Sequence, residues 1–223
     1  MKKIGMIVAM DKELKDYFEK LGTVQTIENS VYNVWQAEAY GKQLYIIKSG
    51  IGEISAAGAT QYLITKYGVD LVINFGICGK ISDNLKLLDT VVVNSVVYYQ
   101  FDLSGIDNVL PAVYMGDSYY INTDKELVEK LLGLDSSLKS AICASGDKFI
   151  ASKEDKEYLS TTFNAEICEM ESAGILITCL RNGVKCLLIK SISDDCDGMD
   201  YATFSSLAAQ KYVEIVDKFV KEC

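Results

Sequence analysis

Histidine is missing altogether from the 223 residues. That excludes Ser-His and Cys-His nucleophile pairs and leaves acid-base work to carboxylates, Lys, Tyr or Cys. Arginine occurs once, as Arg181, so a clamp of several guanidiniums around a phosphate or carboxylate is not available. Proline also occurs once, as Pro111, and no Gly/Ser-rich, Gln/Asn-rich or repeated stretch offers a linker. One domain over residues 1–223 is therefore expected. No apolar run approaches the roughly 20 residues of a membrane-spanning helix. The apolar start, Met1 to Met10, is cut by Asp11-Lys12-Glu13, too soon for a secretory segment. The seven cysteines, Cys78, Cys143, Cys168, Cys179, Cys186, Cys196 and Cys223, form no C-x-x-C pair. They read as reduced packing residues, and a cytoplasmic location is expected.

The hydrophobic content is 49%, enough for one sizeable core. A formal charge of −9 repels a phosphate backbone, so nucleic acid is not expected as a partner, and neither is an anionic membrane. Short, nearly continuous apolar runs recur at 4–9, 43–48, 71–75, 90–99, 140–144 and 186–191, as strands covered on both faces require. Helical patterns lie between several of them, at 54–67, 125–132 and 167–182, and one at 203–221 closes the chain with Phe204, Leu207, Ala208, Ile215, Val216 and Phe219 along a stripe. The alternation predicts an α/β layered fold with a parallel or mixed sheet.

Ligands of such sheets bind beyond the carboxyl ends of the strands, so the residues after each strand are the candidates. The first strand leads into Met10-Asp11-Lys12-Glu13-Leu14. Acids that open a helix suit its dipole; the alternative is a carboxylate turned back over the sheet. The second ends in Lys48-Ser49-Gly50-Ile51-Gly52 and the third in Asn74-Phe75-Gly76-Ile77-Cys78-Gly79-Lys80. Two glycine-rich strand ends suggest one shared cleft where a ligand approaches the backbone. They do not make a dinucleotide fingerprint, because the third glycine, Gly58, comes too late.

Glu169 and Glu171 stand at the head of the apolar helix expected from Ile167. A buried carboxylate needs an amide, a lysine or a ligand hydroxyl as partner. Two apart on a helix they would point about 200° from each other, so one of them is expected to be structural. The last strand ends in Lys190-Ser191-Ile192-Ser193-Asp194-Asp195. One reading is an acidic turn through Asp200 with Asx-type hydrogen bonds; the other is Asp194 as a general acid held by Ser193. An EF-hand calcium loop would need a bidentate Glu that is missing.

Taken in chain order, Ile7-Val8-Ala9-Met10 with Glu13, Lys48-Ser49-Gly50-Ile51-Gly52, Ser145-Gly146-Asp147-Lys148-Phe149-Ile150, Glu169-Met170-Glu171 and Ser191-Ile192-Ser193-Asp194 resemble the purine nucleoside phosphorylase superfamily. Within it they resemble the methylthioadenosine/S-adenosylhomocysteine nucleosidases. The resemblance implies a three-layer α/β/α fold with a central mixed, twisted sheet, a homodimer, an adenine nucleoside as substrate, and neither metal nor cofactor. It also implies roles. Glu13 would activate water, Asp194 would protonate the departing adenine with Ser193 orienting it, and Glu171 would hold the ribose hydroxyls. Phe149 would stack on adenine, Ile150 would read its edge through the backbone, Met170 would pack on the ribose, and Met10, Ile51 and Tyr201 would line the pocket for the sulfur substituent. Gly79 would border the substrate and Lys190 would touch it. One acid and one base beside an oxocarbenium-like ribose is the logic of glycoside hydrolysis.

There are departures from the family pattern. Ile77 stands where a hydroxyl is usual, Lys190 where an arginine is usual, and Tyr99-Gln100 where a His-Asp pair is usual. Because phosphorylases surround phosphate with arginines and Arg181 lies apart from the motifs, water is the expected nucleophile; Lys48 and Lys190 remain as partners for an anion. The alternatives are a phosphate-using nucleoside phosphorylase and a nucleoside-binding homologue without activity. The Tyr98 to Tyr120 stretch, rich in Tyr, is the expected dimer face.

Overall fold

The computed structural model describes residues 1–107, 109–196 and 201–223. Ten strands and seven α-helices are formed by the described residues. The strands are β1 (Lys3–Val8), β2 (Gln25–Asn29), β3 (Asn33–Ala39), β4 (Lys42–Lys48), β5 (Leu71–Lys80), β6 (Thr90–Tyr98), β7 (Ile121–Asn122), β8 (Lys139–Ser145), β9 (Ile167–Glu169) and β10 (Lys185–Asp194). The helices are α1 (Asp11–Leu21), α2 (Glu53–Tyr62, followed by a π-helical turn over Leu63–Tyr67), α3 (Ser104–Asp107), α4 (Lys125–Leu134), α5 (Lys153–Phe163), α6 (Ser172–Asn182) and α7 (Tyr201–Glu222).

All the strands join one mixed sheet. β1 lies between β4 and β5 and is parallel to both. β10 runs parallel to β5 and antiparallel to β6. β6 and β8, then β8 and β9, are parallel, and β9 returns antiparallel to β5. These five strands therefore close on themselves, while β1, β4, β3 and β2 extend outward from β5.

The pleat sends alternate residues to opposite faces, and the chain fills both. Ile4, Met6 and Val8 of β1 pack with Leu14 and Tyr17 of α1, Leu127 and Leu131 of α4 and Tyr212 and Phe219 of α7. Their neighbour Ile7 joins Ala56 and Ala59 of α2 and Ile175 and Cys179 of α6 on the other side. Helix, sheet and helix thus form the expected three layers. A third cluster, with Leu159 and Phe163 of α5 against Val97, Ala144 and Cys168, covers the closed end.

One element differs from expectation. Ile167 to Glu169 is not the first turn of a helix but strand β9, in register with Gly79 and Lys80 on one side and with Cys143 to Ser145 on the other. The helix starts at Ser172 with Glu171 as its N-cap residue. Open sheet edges on β5 and β8 capture these three residues, a tertiary demand that overrides local helical pattern. The acidic turn expected through Asp200 falls partly outside the described residues.

Candidate active site

The carboxyl ends of β1, β4, β5 and β10 meet at one cleft of about 560 Å³, counted with its open mouth. Its walls include Met10, Ile51, Ile77, Gly79, Phe149, Ile150, Met170, Glu171, Ser193, Asp194 and Tyr201.

α6 explains why so many carboxylates gather here. The first amides of a helix have no partner within it and carry the positive end of its dipole. Here each is met by a buried side chain. Glu169 accepts from the amides of Glu171 (3.1 Å) and Ser172 (3.0 Å), Ser145 Oγ from Ala173 (3.0 Å), and Glu53 Oε2 from Gly174 (2.5 Å). Ser145 Oγ also donates to Glu53 Oε1 at 2.5 Å. Lys190, only 1% exposed, donates to Glu169 Oε2 at 2.8 Å.

Three acids and one ammonium in a dry region cannot all stay ionised. Burial acts to raise Glu169, yet Lys190 and the surrounding donors outweigh it and hold this carboxyl below its ordinary value. Burial, and then the charge of Glu169, push Glu53 up to about 8 and Glu171 up to about 7. Glu169 is the ionised partner of Lys190, and the structural member of the Glu169/Glu171 pair. The reason is not a 200° turn of helix, since Glu169 ends a strand.

Glu171 faces the cleft. Its Oε1 accepts from Gly52 N at 3.0 Å, and its Oε2 has no hydrogen-bond partner among the described residues, so one oxygen is anchored and one remains for a ligand. Glu13, from the first turn of α1, turns back over the sheet. Its Oε2 accepts from Ala9 N (3.1 Å) and Met10 N (2.8 Å), and its Oε1 from Ile77 N (3.0 Å). Burial raises its pKa against those hydrogen bonds and the charge of Lys190. Gly76 makes the approach possible, because a Cβ there would sit 2.6 Å from Glu13 Oε1.

At the cleft end of β10, Asp194 Oδ2 lies 2.7 Å from Ser193 Oγ, and Oδ1 accepts from Cys196 N at 3.0 Å. Ser193 Oγ also reaches Cys78 O at 3.2 Å. Gly79 leaves room for this corner, since a Cβ would stand 3.2 Å from Asp194 Oδ1 and 2.6 Å from Cys196 Sγ. Asp195 points elsewhere, bonded to Lys156 and 3.3 Å from Lys80. Phe149 and Tyr201 meet edge to face at 5.4 Å across the mouth.

The chain that builds this cleft matches a known family model, described as the phosphorylase superfamily, over residues 3–221. The chain belongs to the phosphorylase superfamily. Within it the chain stands among the nucleosidases. It is 31% identical to an aminodeoxyfutalosine nucleosidase of Helicobacter pylori (strain J99) over the whole of both chains. It is 29% identical to a 5′-methylthioadenosine/S-adenosylhomocysteine nucleosidase of Staphylococcus saprophyticus, covering 98% of this chain and 99% of that one. The crystal structure of the H. pylori methylthioadenosine/S-adenosylhomocysteine nucleosidase with butyl-thio-DADMe-Immucillin-A superposes with a TM-score of 0.94 at 30% identity, covering 100% of this chain and 99% of that one.

Ten of the twelve site residues expected from sequence line this one cleft together. The other two sit beneath it. Glu13 is bonded to the amides of Met10 and Ile77, which do line it, and Lys190 is buried against Glu169. Lys190 therefore does not touch the cleft as expected. A buried ammonium takes the nearest carboxylate, and that is on β9. Glu53 and Ser145 were missed as members of the cluster. An acid just after a glycine turn looks like ordinary support for a helix dipole, and its partner in α6 is 121 residues away.

Proposed function

We propose that this nucleosidase hydrolyses the N-glycosidic bond of 5′-methylthioadenosine and S-adenosylhomocysteine, releasing adenine and a thioribose. The observation that carries the reading is the pairing, in one cleft, of an acid corner (Ser193-Asp194) with an anchored carboxylate that keeps one oxygen free (Glu171), above a buried carboxylate (Glu13).

Ser193 has one hydroxyl hydrogen and two acceptors nearby, Cys78 O and Asp194 Oδ2. Ser193 Oγ donates to Asp194 Oδ2 and so orients that carboxyl at the cleft. Protonated Asp194 passes its proton to the adenine ring as the bond to ribose breaks. Glu171 Oε2 accepts from the ribose hydroxyls. Glu13, with its pKa raised by burial, takes a proton from the attacking water. Phe149 stacks on adenine, Ile150 reads its edge, Met170 packs on the ribose, Gly79 borders the base, and Met10, Ile51 and Tyr201 receive the 5′ substituent. Water rather than phosphate is the nucleophile, since the one arginine, Arg181, is spent on Tyr114 at 3.1 Å.

The protein works as one domain in the cytoplasm and as a homodimer. Support for the dimer comes from apolar side chains at the cleft rim: Ile51, itself a wall residue, is 55% exposed and Ile54 on α2 is 85% exposed. Among the described residues no helix is long and apolar enough to cross a membrane.

The test is adenine release from methylthioadenosine, S-adenosylhomocysteine, aminodeoxyfutalosine and adenosine, with and without phosphate, beside Asp194→Asn. Release of free sugar without phosphate, lost in the variant, is expected. Sugar phosphate would make the enzyme a phosphorylase, and release from aminodeoxyfutalosine alone would move the substrate to that nucleoside.

A further inference from the structure

Five lysines stand on or next to the segments that build the cleft, and four of them are paired with carboxylates. Lys48 is held by both oxygens of Asp11 at 2.8 Å, Lys148 by Asp155 at 2.8 Å, Lys190 by Glu169 at 2.8 Å and Lys80 by Asp195 at 3.3 Å. Lys12 differs. Its Nζ donates to Tyr201 Oη at 2.7 Å and lies 4.1 Å from the centre of the same ring. Among the described residues no carboxylate stands within ion-pair distance of it.

A cation on an aromatic face is held in place without being neutralised. One of its three hydrogens serves the tyrosine hydroxyl, and two remain for a further acceptor. The tyrosine is the same one that lines the cleft, and its hydroxyl lies 3.6 Å from Met10 Sδ. Met10, Tyr201 and Ile51 are apolar walls, enough for a methylthio group. The ammonium beyond them is useful only to a longer, anionic arm.

We propose that Lys12 is a specificity residue that selects nucleosides whose 5′ arm ends in a carboxylate. The proposal rests on the nucleosidase reading of the cleft and deepens it. S-adenosylhomocysteine carries such a carboxylate, and methylthioadenosine does not.

The experiment separates binding from turnover. The dissociation constants of 5′-S-(2-carboxyethyl)-5′-thioadenosine and its primary carboxamide, which differ only in charge, are measured by calorimetry. The proteins are Asp194→Asn and the same variant carrying Lys12→Met or Lys12→Arg. With Lys12 present the carboxylate binds about three- to tenfold more tightly than the amide, the gain of one partly solvated charge-assisted hydrogen bond. Lys12→Met brings the ratio to about one, Lys12→Arg restores most of it, and added salt lowers it where the cation is present. A ratio that is the same with methionine, or an equal loss for both ligands, would overturn the proposal, the latter leaving Lys12 as a prop for Tyr201. Failure of both to bind would overturn it together with the reading of the cleft. Binding as expected without adenine release by the unmodified enzyme would sink the hydrolytic reading and leave Lys12 in its role.

Discussion

Replacing Glu53 by glutamine raises the stability of this protein at neutral and alkaline pH. Glu53 is 4% exposed, and burial followed by the charge of Glu169 lifts it from 4.5 to about 8. The folded state therefore holds a proton that the unfolded chain has given up, and stability falls as pH rises between those two values. Below 4.5 both states are protonated and nothing is lost; above about 8 the full penalty applies. At about 1.4 kcal/mol per pH unit, the 2.5 units between 4.5 and pH 7 amount to ~3 kcal/mol, and sharing of charge with Glu169 and Glu171 brings this to about 1–3 kcal/mol. Glutamine keeps both contacts. Its carbonyl accepts from Gly174 N, its amide donates to Ser145 Oγ, and the serine hydrogen is freed for Glu169. For a chain of this size the gain corresponds to a Tm higher by about 3–10 °C at pH 8. Thermal melts of the unliganded proteins from pH 4.5 to 8.5 provide the assay. Convergence toward pH 4.5 is expected; a variant that melts at or below the wild type at pH 8, or a gap that does not narrow with acid, would refute the protonated Glu53.

Lys190→Met leaves Glu169 buried beside no cation and costs about 3–5 kcal/mol, measured by urea unfolding; adding Glu169→Gln recovers most of the loss. In the proposed role Glu171 holds the ribose hydroxyls best when ionised, because a carboxylate is the stronger acceptor, so with its carboxyl raised to about 7 kcat/KM is expected to fall by up to tenfold per unit below that pH. Glu171→Gln lowers kcat/KM by about 10–100-fold, the worth of a charged hydrogen bond, and removes that limb from the profile.

The strands of the central sheet were legible because both faces are covered, so each reads as an apolar run. β2 and β3 escaped notice, since Gln25–Asn29 and Asn33–Ala39 are largely half-covered and mix polar with apolar residues. α5 escaped as well: eleven residues that bury only Leu159 and Phe163 leave little periodicity. The strand ends at 10–14, 48–52, 74–80 and 190–195 were legible as candidate cleft segments, while Phe149, Ile150, Met170 and Tyr201 were named only through the family resemblance. Glu13 and Lys190 were legible as members of the site but not in their depth, which depends on what Met10, Ile77 and β9 place above them.

By itself the sequence determined the kind of chemistry open to this protein. With no histidine and one arginine, acid-base work falls to carboxylates, and the parallel core strands bring their carboxyl ends to one edge. Tertiary structure alone decided the partners and burial of each carboxylate. Glu53 meets α6 across 121 residues and Lys12 meets Tyr201 across 189. Such partners act only over about 3 Å, and hydrogen bonding of that range leaves no periodic trace in the chain. Burial and proximity together set the charge of each acid, and both exist only after the sheet has closed.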